Sequence, residues 1–394
     1  NEVGKKLRGT ISYVDGYGST ESITSAASEE VVIPTLKIRG NSLYSIAEGE
    51  SWNTARKNAE KIGGHLVSIQ SGEENFFIYE NFGIDSNTKL TISSGYWIGL
   101  NDQDIEGEWN WISGEEVQWT HPGWGQGEPN GNGDHVWVKA GFDNPNMSLE
   151  EVINYYTNRS FDPWDFRSLG PFWDDTWESG EGTNYGVAES EFIRRGDSAY
   201  VVVEGPTWEE AEANANKLGG HLVTINDKDE NEWIAEEFSK PKYGYEGDNN
   251  TGDPQIISHF WLGGTDKNIE GQWEWSSGEE WNFDYFLRDH PVMPIPNNEG
   301  ESDYDYLVGN FNVTSGGGFI HGDGIGTYYW DDSKNFGTDS SRGIAEIKLA
   351  PNNAPTGELK INGNLNVGET LTIDLSNIND LDNFEGYTPT YNYS

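Results

Sequence analysis

The sequence contains no cysteine and only two methionines in 394 residues. The missing thiols exclude disulfides, thiolate metal sites and cysteine nucleophiles together. Basic residues are scarce: 24 Lys and Arg stand against 67 Asp and Glu, a formal net charge of -43. A chain so acidic repels phosphates and anionic lipid, so nucleic acid is not an expected partner. There is no apolar run long enough to span a bilayer and no signal-peptide pattern, so membrane insertion is not expected. The chain starts at Asn1 and is read as an excised segment of a longer protein.

What is present is aromatic. The 17 Trp, 19 Tyr and 16 Phe supply the large burial that disordered acidic chains lack, and the length suits two or three domains. The acid excess costs stability through self-repulsion unless salt screens it or bound cations neutralise it, which fits a saline or calcium-rich setting.

The chain also matches itself. SWNTARKNAEKIGGHLVSIQSGEEN from Ser51 aligns without a gap with TWEEAEANANKLGGHLVTINDKDEN from Thr207, a shift of 156 residues. The shift is 164 for YWIGLNDQDIEGEWNWISGEE from Tyr96 against FWLGGTDKNIEGQWEWSSGEE from Phe260. It is 157 for Trp173-Asp174-Asp175 against Trp330-Asp331-Asp332 and for Ala188-Glu189 against Ala345-Glu346. Two copies of one fold with insertions confined to loops is the economical reading. Each copy opens with a strand around Tyr44 or Tyr200, followed by a helix whose apolar positions Trp52, Ala55, Ala59 and Ile62 recur at helical spacing. Thr207 with Glu210 has capping-box spacing, Gly63 and Gly219 follow the last helical turns, and a second helix starts at Ser71. His65 and His221 lie in short buried strands and are read as packing residues. Trp-rich short strands separated by Gly and Asn turns complete each copy, so the fold class is α+β.

Taken in order, helix, GGHLVSI, helix, YWIGL, EWNWISGE, GEPN, WDD and a closing Ala-Glu strand resemble the C-type lectin-like domains. The resemblance covers 38–193 and 194–349, two tandem domains, and departs from the family in having no disulfides. It implies a calcium site. Glu128, Asn130, Asp134, Asp174 and Asp175 are hard oxygen donors, and calcium takes six to eight oxygens in flexible geometry. It also implies a cis bond before Pro129, and sugar bound through two hydroxyls that complete the calcium shell, with Glu128, Asn130 and Asp174 as the carbohydrate-binding residues. Glu-Pro-Asn is the version that the family associates with mannose-, glucose- or fucose-type sugars. Asp174 stands where the family usually has Asn, which adds charge and removes an amide donor. Trp124, just before the motif, is read either as flanking a sugar or as anchoring the loop. Asp102 with Glu106, and Asp266 with Glu270, match the spacing of an auxiliary calcium pair, but Gly131 and His135 replace expected acids and a turn-capping role for Asp102 competes.

In copy two, Ile295-Pro296-Asn297 aligns with Glu128-Pro129-Asn130, so a carboxylate is lost. Asn297, Asp305, Asp331 and Asp332 remain as a weaker second set. The flanks, 1–37 and 350–394, resemble the end and the start of all-β immunoglobulin-like repeats found in arrays in large bacterial surface proteins. Together these readings lead to a calcium-dependent carbohydrate-binding segment of an extracellular or cell-surface adhesin, with cell-surface glycans as partners. The alternative is a structural or protein-binding module that uses the scaffold without sugar. No Ser-His-Asp order or catalytic carboxylate pair is found, so no enzyme is expected.

Overall fold

The computed structural model describes residues 10–14, 20–24, 36–83, 95–118, 124–125, 127–139, 172–177, 184–243, 245–248, 254–257, 259–286, 304–311, 329–335, 342–349, 356–357, 360–362, 372–374 and 377. In the N-terminal flank β1 (Thr10–Val14) pairs antiparallel with β2 (Thr20–Thr24). Copy one then runs β3 (Lys37–Arg39), β4 (Ser42–Glu48), α1 (Trp52–Lys61), β5 (His65–Leu66) and α2 (Gly72–Ile78). It continues through β6 (Tyr96–Asn101), β7 (Asn110–Trp111), β8 (His135–Lys139), β9 (Phe172–Thr176) and β10 (Tyr185–Glu191). Copy two has β11 (Ile193–Arg195), β12 (Ser198–Glu204), α3 (Trp208–Lys217), β13 (His221–Leu222) and α4 (Lys228–Phe238). A strand pair, β14 (Tyr245–Asp248) with β15 (Pro254–Ile257), precedes β16 (His259–Thr265), β17 (Glu274–Trp275), β18 (Tyr306–Asn310), β19 (Tyr329–Ser333) and β20 (Arg342–Lys348). In the C-terminal flank β21 (Lys360–Asn362) pairs with β22 (Thr372–Asp374).

The two copies share one topology. The sheet order is β3-β4-β10-β6-β8-β9 in the first and β11-β12-β20-β16-β18-β19 in the second. In each, the opening strand lies antiparallel to the closing one, Ser42 opposite Glu191 and Ser198 opposite Lys348. Each domain is thereby closed at its base, and the long loops are left to the far strands.

Local chemistry explains the helices. Ser51 caps α1 by accepting the Thr54 N–H, and Trp52, Ala55 and Ala59 form its buried stripe. Thr207 caps α3 through the Glu210 N–H at 3.1 Å, and Ser71 caps α2 through that of Glu74. Gly63 and Gly219 adopt φ of 78° and 76° just past the last turns, where a side chain is disfavoured. The Tyr44 hydroxyl lies 3.1 Å from both Glu74 and Glu189, tying α2, β4 and β10 together, and Tyr200 repeats this with Glu230 and Glu346.

His65 and His221 depart from the packing role. Both are only half-buried, and Nδ1 of His221 meets Glu212 at 2.7 Å. That hydrogen bond raises the imidazole pKa against the opposing effect of burial. The flanks hold a strand pair each among the described residues, and most of the rest of the segments expected to be immunoglobulin-like lies outside the described residues. Among the described residues no helix is long and apolar enough to cross a membrane.

Candidate metal centre

Strand β9 carries the centre. Trp173 fixes it from beneath, 1% exposed, with its Nε1 donating to Asn75 Oδ1 on α2 at 3.1 Å. Its ring meets Trp111 and Trp124 edge-on, both at 5.9 Å. Trp124 is half-buried and also packs on Trp109 at 5.0 Å, so it anchors the loop rather than standing free. The Gly125 N–H donates to the Trp173 carbonyl and the Glu128 N–H to that of Gly125, so the loop ahead of β8 is tied to β9 just before Glu128.

The Glu128–Pro129 bond is cis. Asp175 is fully buried, and its carboxylate accepts three consecutive main-chain N–H groups: Asn130 at 2.7 Å, Gly131 at 2.9 Å and Asn132 at 3.0 Å. One aspartate thus shapes the whole turn. Carboxylate oxygens of Glu128, Asp174 and Asp175 all lie within 4.8 Å of one another. Glu128 Oε2 is buried and has no hydrogen-bond partner. Burial first, then Asp175 and Asp174, push the Glu128 carboxyl up to about 7, with a hydrogen bond from Asn130 opposing. At such separations each pair of like charges costs on the order of 3 kcal/mol at an effective dielectric of about 20. Carboxylates so placed are stable together if a proton or a cation sits between them, and three converging carboxylates, one with an orphaned buried oxygen, are a donor set that suits a hard cation.

The other candidates stand around this trio. Asn130 is exposed beside it and fixes the turn through its own N–H. Asp134 is exposed at the far end of the loop and is not among the three converging carboxylates; its carbonyl accepts the Asp102 N–H at 3.1 Å. Asp102 is 3% exposed and accepts the Gly107 N–H at 2.7 Å, so it caps the turn that leads to Glu106. Asp266 does the same with Gly271 at 2.9 Å. Asn75 and the loop amides of Gly131 and Asn132 that help to organise the centre were not among the site residues expected from sequence. Asn75 had a signal, since it recurs as Asn231 in the ungapped alignment.

The profile of the Lectin C-type domain matches residues 48–149 and 204–305, just over half of the chain. The chain belongs to the C-type lectin family. Among proteins similar to it, perlucin-like protein of Mytilus galloprovincialis is 30% identical over 112 residues, covering 27% of this chain and 68% of that protein. Hepatic lectin of Gallus gallus is 31% identical over 107 residues, covering 26% of this chain and 47% of that protein. C-type mannose receptor 2 of Homo sapiens is 27% identical over 252 residues, covering 62% of this chain and 14% of the receptor. The chain therefore spans about half of the hepatic lectin and a small part of the receptor.

The second C-type lectin copy is built alike and furnished differently. Trp330 Nε1 donates to Asn231 at 2.8 Å as Trp173 does to Asn75. Asp331 and Asp332 sit on β19 and Asp305 just before β18, while Ile295 and Asn297 lie outside the described residues. Partial desolvation, then repulsion by Asp266, Asp305 and Asp332, holds the Glu270 carboxyl above its ordinary range. Among the described residues the Glu128, Asp174 and Asp175 trio is the one group of metal-ligating side chains that converges on a point.

Proposed function

We propose that copy one is a calcium-dependent carbohydrate-binding domain. The observation that carries this reading is the convergence of the Glu128, Asp174 and Asp175 carboxylates within 4.8 Å of one another, with Oε2 of Glu128 buried and unpartnered. Glu128, Asn130, Asp174 and Asp175 would hold the ion, with Asp134 at the rim. Bound calcium supplies open coordination positions for neighbouring hydroxyls of a sugar. The chain's own residues do the rest: Asp175 sets the turn, Trp173 sets the strand, and Glu128 and Asn130 offer an acceptor and a donor to the same hydroxyls. Two of the relatives are named a lectin and a mannose receptor, which supports a carbohydrate and, with Glu-Pro-Asn, favours mannose-, glucose- or fucose-type sugars.

Copy two takes the second reading, a scaffold or protein-binding module, because Ile295 aligns with Glu128. We place the pair outside the cell or on its surface. The strand pairs at both ends fit the edges of immunoglobulin-like repeats in an adhesin stalk of bacterial type, although the relatives named above come from animals. Calorimetric titration of calcium into the wild type and Glu128→Ala tests the site. The wild type should bind calcium and be retained on mannose resin until chelator is added, and the variant should lose both. Identical calcium uptake by the two proteins would remove the assignment.

A further inference from the structure

We propose that Glu74 and Glu189 at the base of copy one hold one proton as a pair, in the role that a lysine ammonium plays in copy two, so that acid fastens α2 to β10. The pair is separate from the ion centre and does not depend on the carbohydrate reading.

Donors are short at this spot. The Tyr44 hydroxyl carries one hydrogen, yet Glu74 Oε1 and Glu189 Oε1 both lie 3.1 Å from it. Glu74 is 7% exposed; its Oε1 also meets Arg39 of β3 at 3.3 Å, and its Oε2 accepts the Gln70 N–H at 2.8 Å. Glu189 accepts the Ser68 N–H at 3.4 Å through its other oxygen and, among the described residues, forms no ion pair. His65 stands opposite Glu189 in the register of β5 with β10, but its Nδ1 is turned to the Leu66 carbonyl at 2.9 Å. One guanidinium and one hydroxyl therefore face two carboxylates. A proton completes the set, because a protonated carboxyl donates to the Tyr44 oxygen while the Tyr44 O–H donates to the other glutamate. Burial first, with Glu189 adding to it, holds the Glu74 carboxyl above its ordinary range against the Gln70 N–H, Arg39 and Tyr44.

Copy two solves the same problem with a cation. Tyr200 lies 3.3 Å from Glu230 and 3.4 Å from Glu346, and Arg195 meets Glu230 at 2.9 Å as Arg39 meets Glu74. Burial raises the Glu230 carboxyl too, so the helix glutamate is not what distinguishes the copies. The closing strand is. Lys348 donates to Glu346 Oε1 at 3.1 Å, and Ser198 Oγ, on the residue paired with Lys348, donates to the same oxygen at 2.7 Å. At the shift of 157, Lys348 becomes Glu191, which is exposed and pairs with Ser42. Copy one has thus reversed the charge at the position where copy two keeps its ammonium.

The raised carboxyl sets the sign: its stabilisation is complete below the ordinary carboxyl range and is lost as the pH rises through the raised value. Acid then acts in opposite ways at the two ends of copy one. At the centre a proton competes with a cation for Glu128, and at the base it ties α2 to the closing strand.

The test uses the full chain carrying Glu128→Gln in chelator, so that the centre neither binds calcium nor titrates at that residue, in about 1 M NaCl to screen exposed charges. Melting temperatures are read at about pH 5 and about pH 8. Relative to this parent, Glu191→Lys should gain about 2–4 °C at the higher pH and almost nothing at the lower, because the ammonium takes over where the proton has left. Glu189→Gln, whose amide stands in for the protonated carboxyl, should rise against the parent by a similar amount between the two pH values. In copy two, Lys348→Gln should lose more at the higher pH than at the lower. Glu191 is exposed, so Glu191→Lys reads the proposal even if the buried variant fails to fold. A shift of equal size at both pH values in Glu191→Lys would reduce it to a surface-charge effect and overturn the shared proton, as would a difference between Glu189→Gln and the parent that does not change with pH.

Discussion

Glu128 is where proton and cation compete. Its carboxyl is raised to about 7 because it is desolvated and faces two aspartates, so in calcium-free protein it takes up a proton as the pH falls through neutrality. The sign follows. A carboxyl whose folded pKa lies above its unfolded value contributes stability that is complete at low pH and lost as the pH rises through about 7. Calcium binding requires the opposite form, so affinity should be full above about pH 8 and fall by up to tenfold per unit below about 7. In chelator, the melting temperature of the wild type relative to Glu128→Gln should drop between pH 6 and 8; with calcium present that drop should vanish. Calcium calorimetry at pH 6, 7 and 8 checks the first statement and thermal melts the second, and a pH-independent calcium affinity would show that Glu128 does not titrate against the ion. Glu128, Asn130, Asp174 and Asp175 were legible because each belongs to a motif of adjacent residues. The convergence of the carboxylates was not, because it brings Glu128 to Asp174, which lies 46 residues further along the sequence on β9.

The elements themselves were written plainly. The shifts of 156, 164 and 157 residues recur as the offsets between α1 and α3, Tyr96–Asn101 and Phe260–Thr265, and β10 and β20. Ser51, Ser71 and Thr207 cap helices because a hydroxyl followed by free N–H groups can do little else. What periodicity does not disclose is which helix supports which strand. α2 holds β9 through the bond from Trp173 to Asn75, two residues 98 apart in sequence, and α4 holds β19 through Trp330 and Asn231. Removing the amide leaves a buried indole N–H without an acceptor, which costs about 1–3 kcal/mol. Asn75→Ala should therefore lower the stability of copy one by that amount and weaken calcium binding, since β9 carries two of the three carboxylates. Asn231→Ala should cost similar stability and leave calcium binding unchanged. Paired denaturation and calcium titrations of the two variants read both effects, and equal calcium loss in both would sever the link between α2 and the centre.

At the scale of the whole chain the two domains are continuous. Only Phe192, itself buried, separates β10 from β11, so no flexible linker intervenes. One apolar cluster runs through both copies, from Leu43, Ala59 and Ile62 to Val201, Leu218 and Ile347. Gly63 sits against copy two: a Cβ there would stand 2.1 Å from the Val202 carbonyl oxygen and 2.7 Å from Val201 Cγ1. Nothing in the sequence announces this, because a glycine after a helix is explained by its positive φ alone. The two roles can be separated with Gly196, which has a φ of 60° and open space around its would-be Cβ. Gly196→Ala should cost about 1–2 kcal/mol, the penalty of a left-handed backbone. Gly63→Ala should cost about 1–3 kcal/mol more, the range for overpacking a filled interface. Because the added methyl falls between the domains, calorimetry should change from one transition in the wild type to two in Gly63→Ala, while Gly196→Ala keeps one. Two transitions in the wild type would mean that the copies unfold independently and that the contact at Gly63 does not couple them.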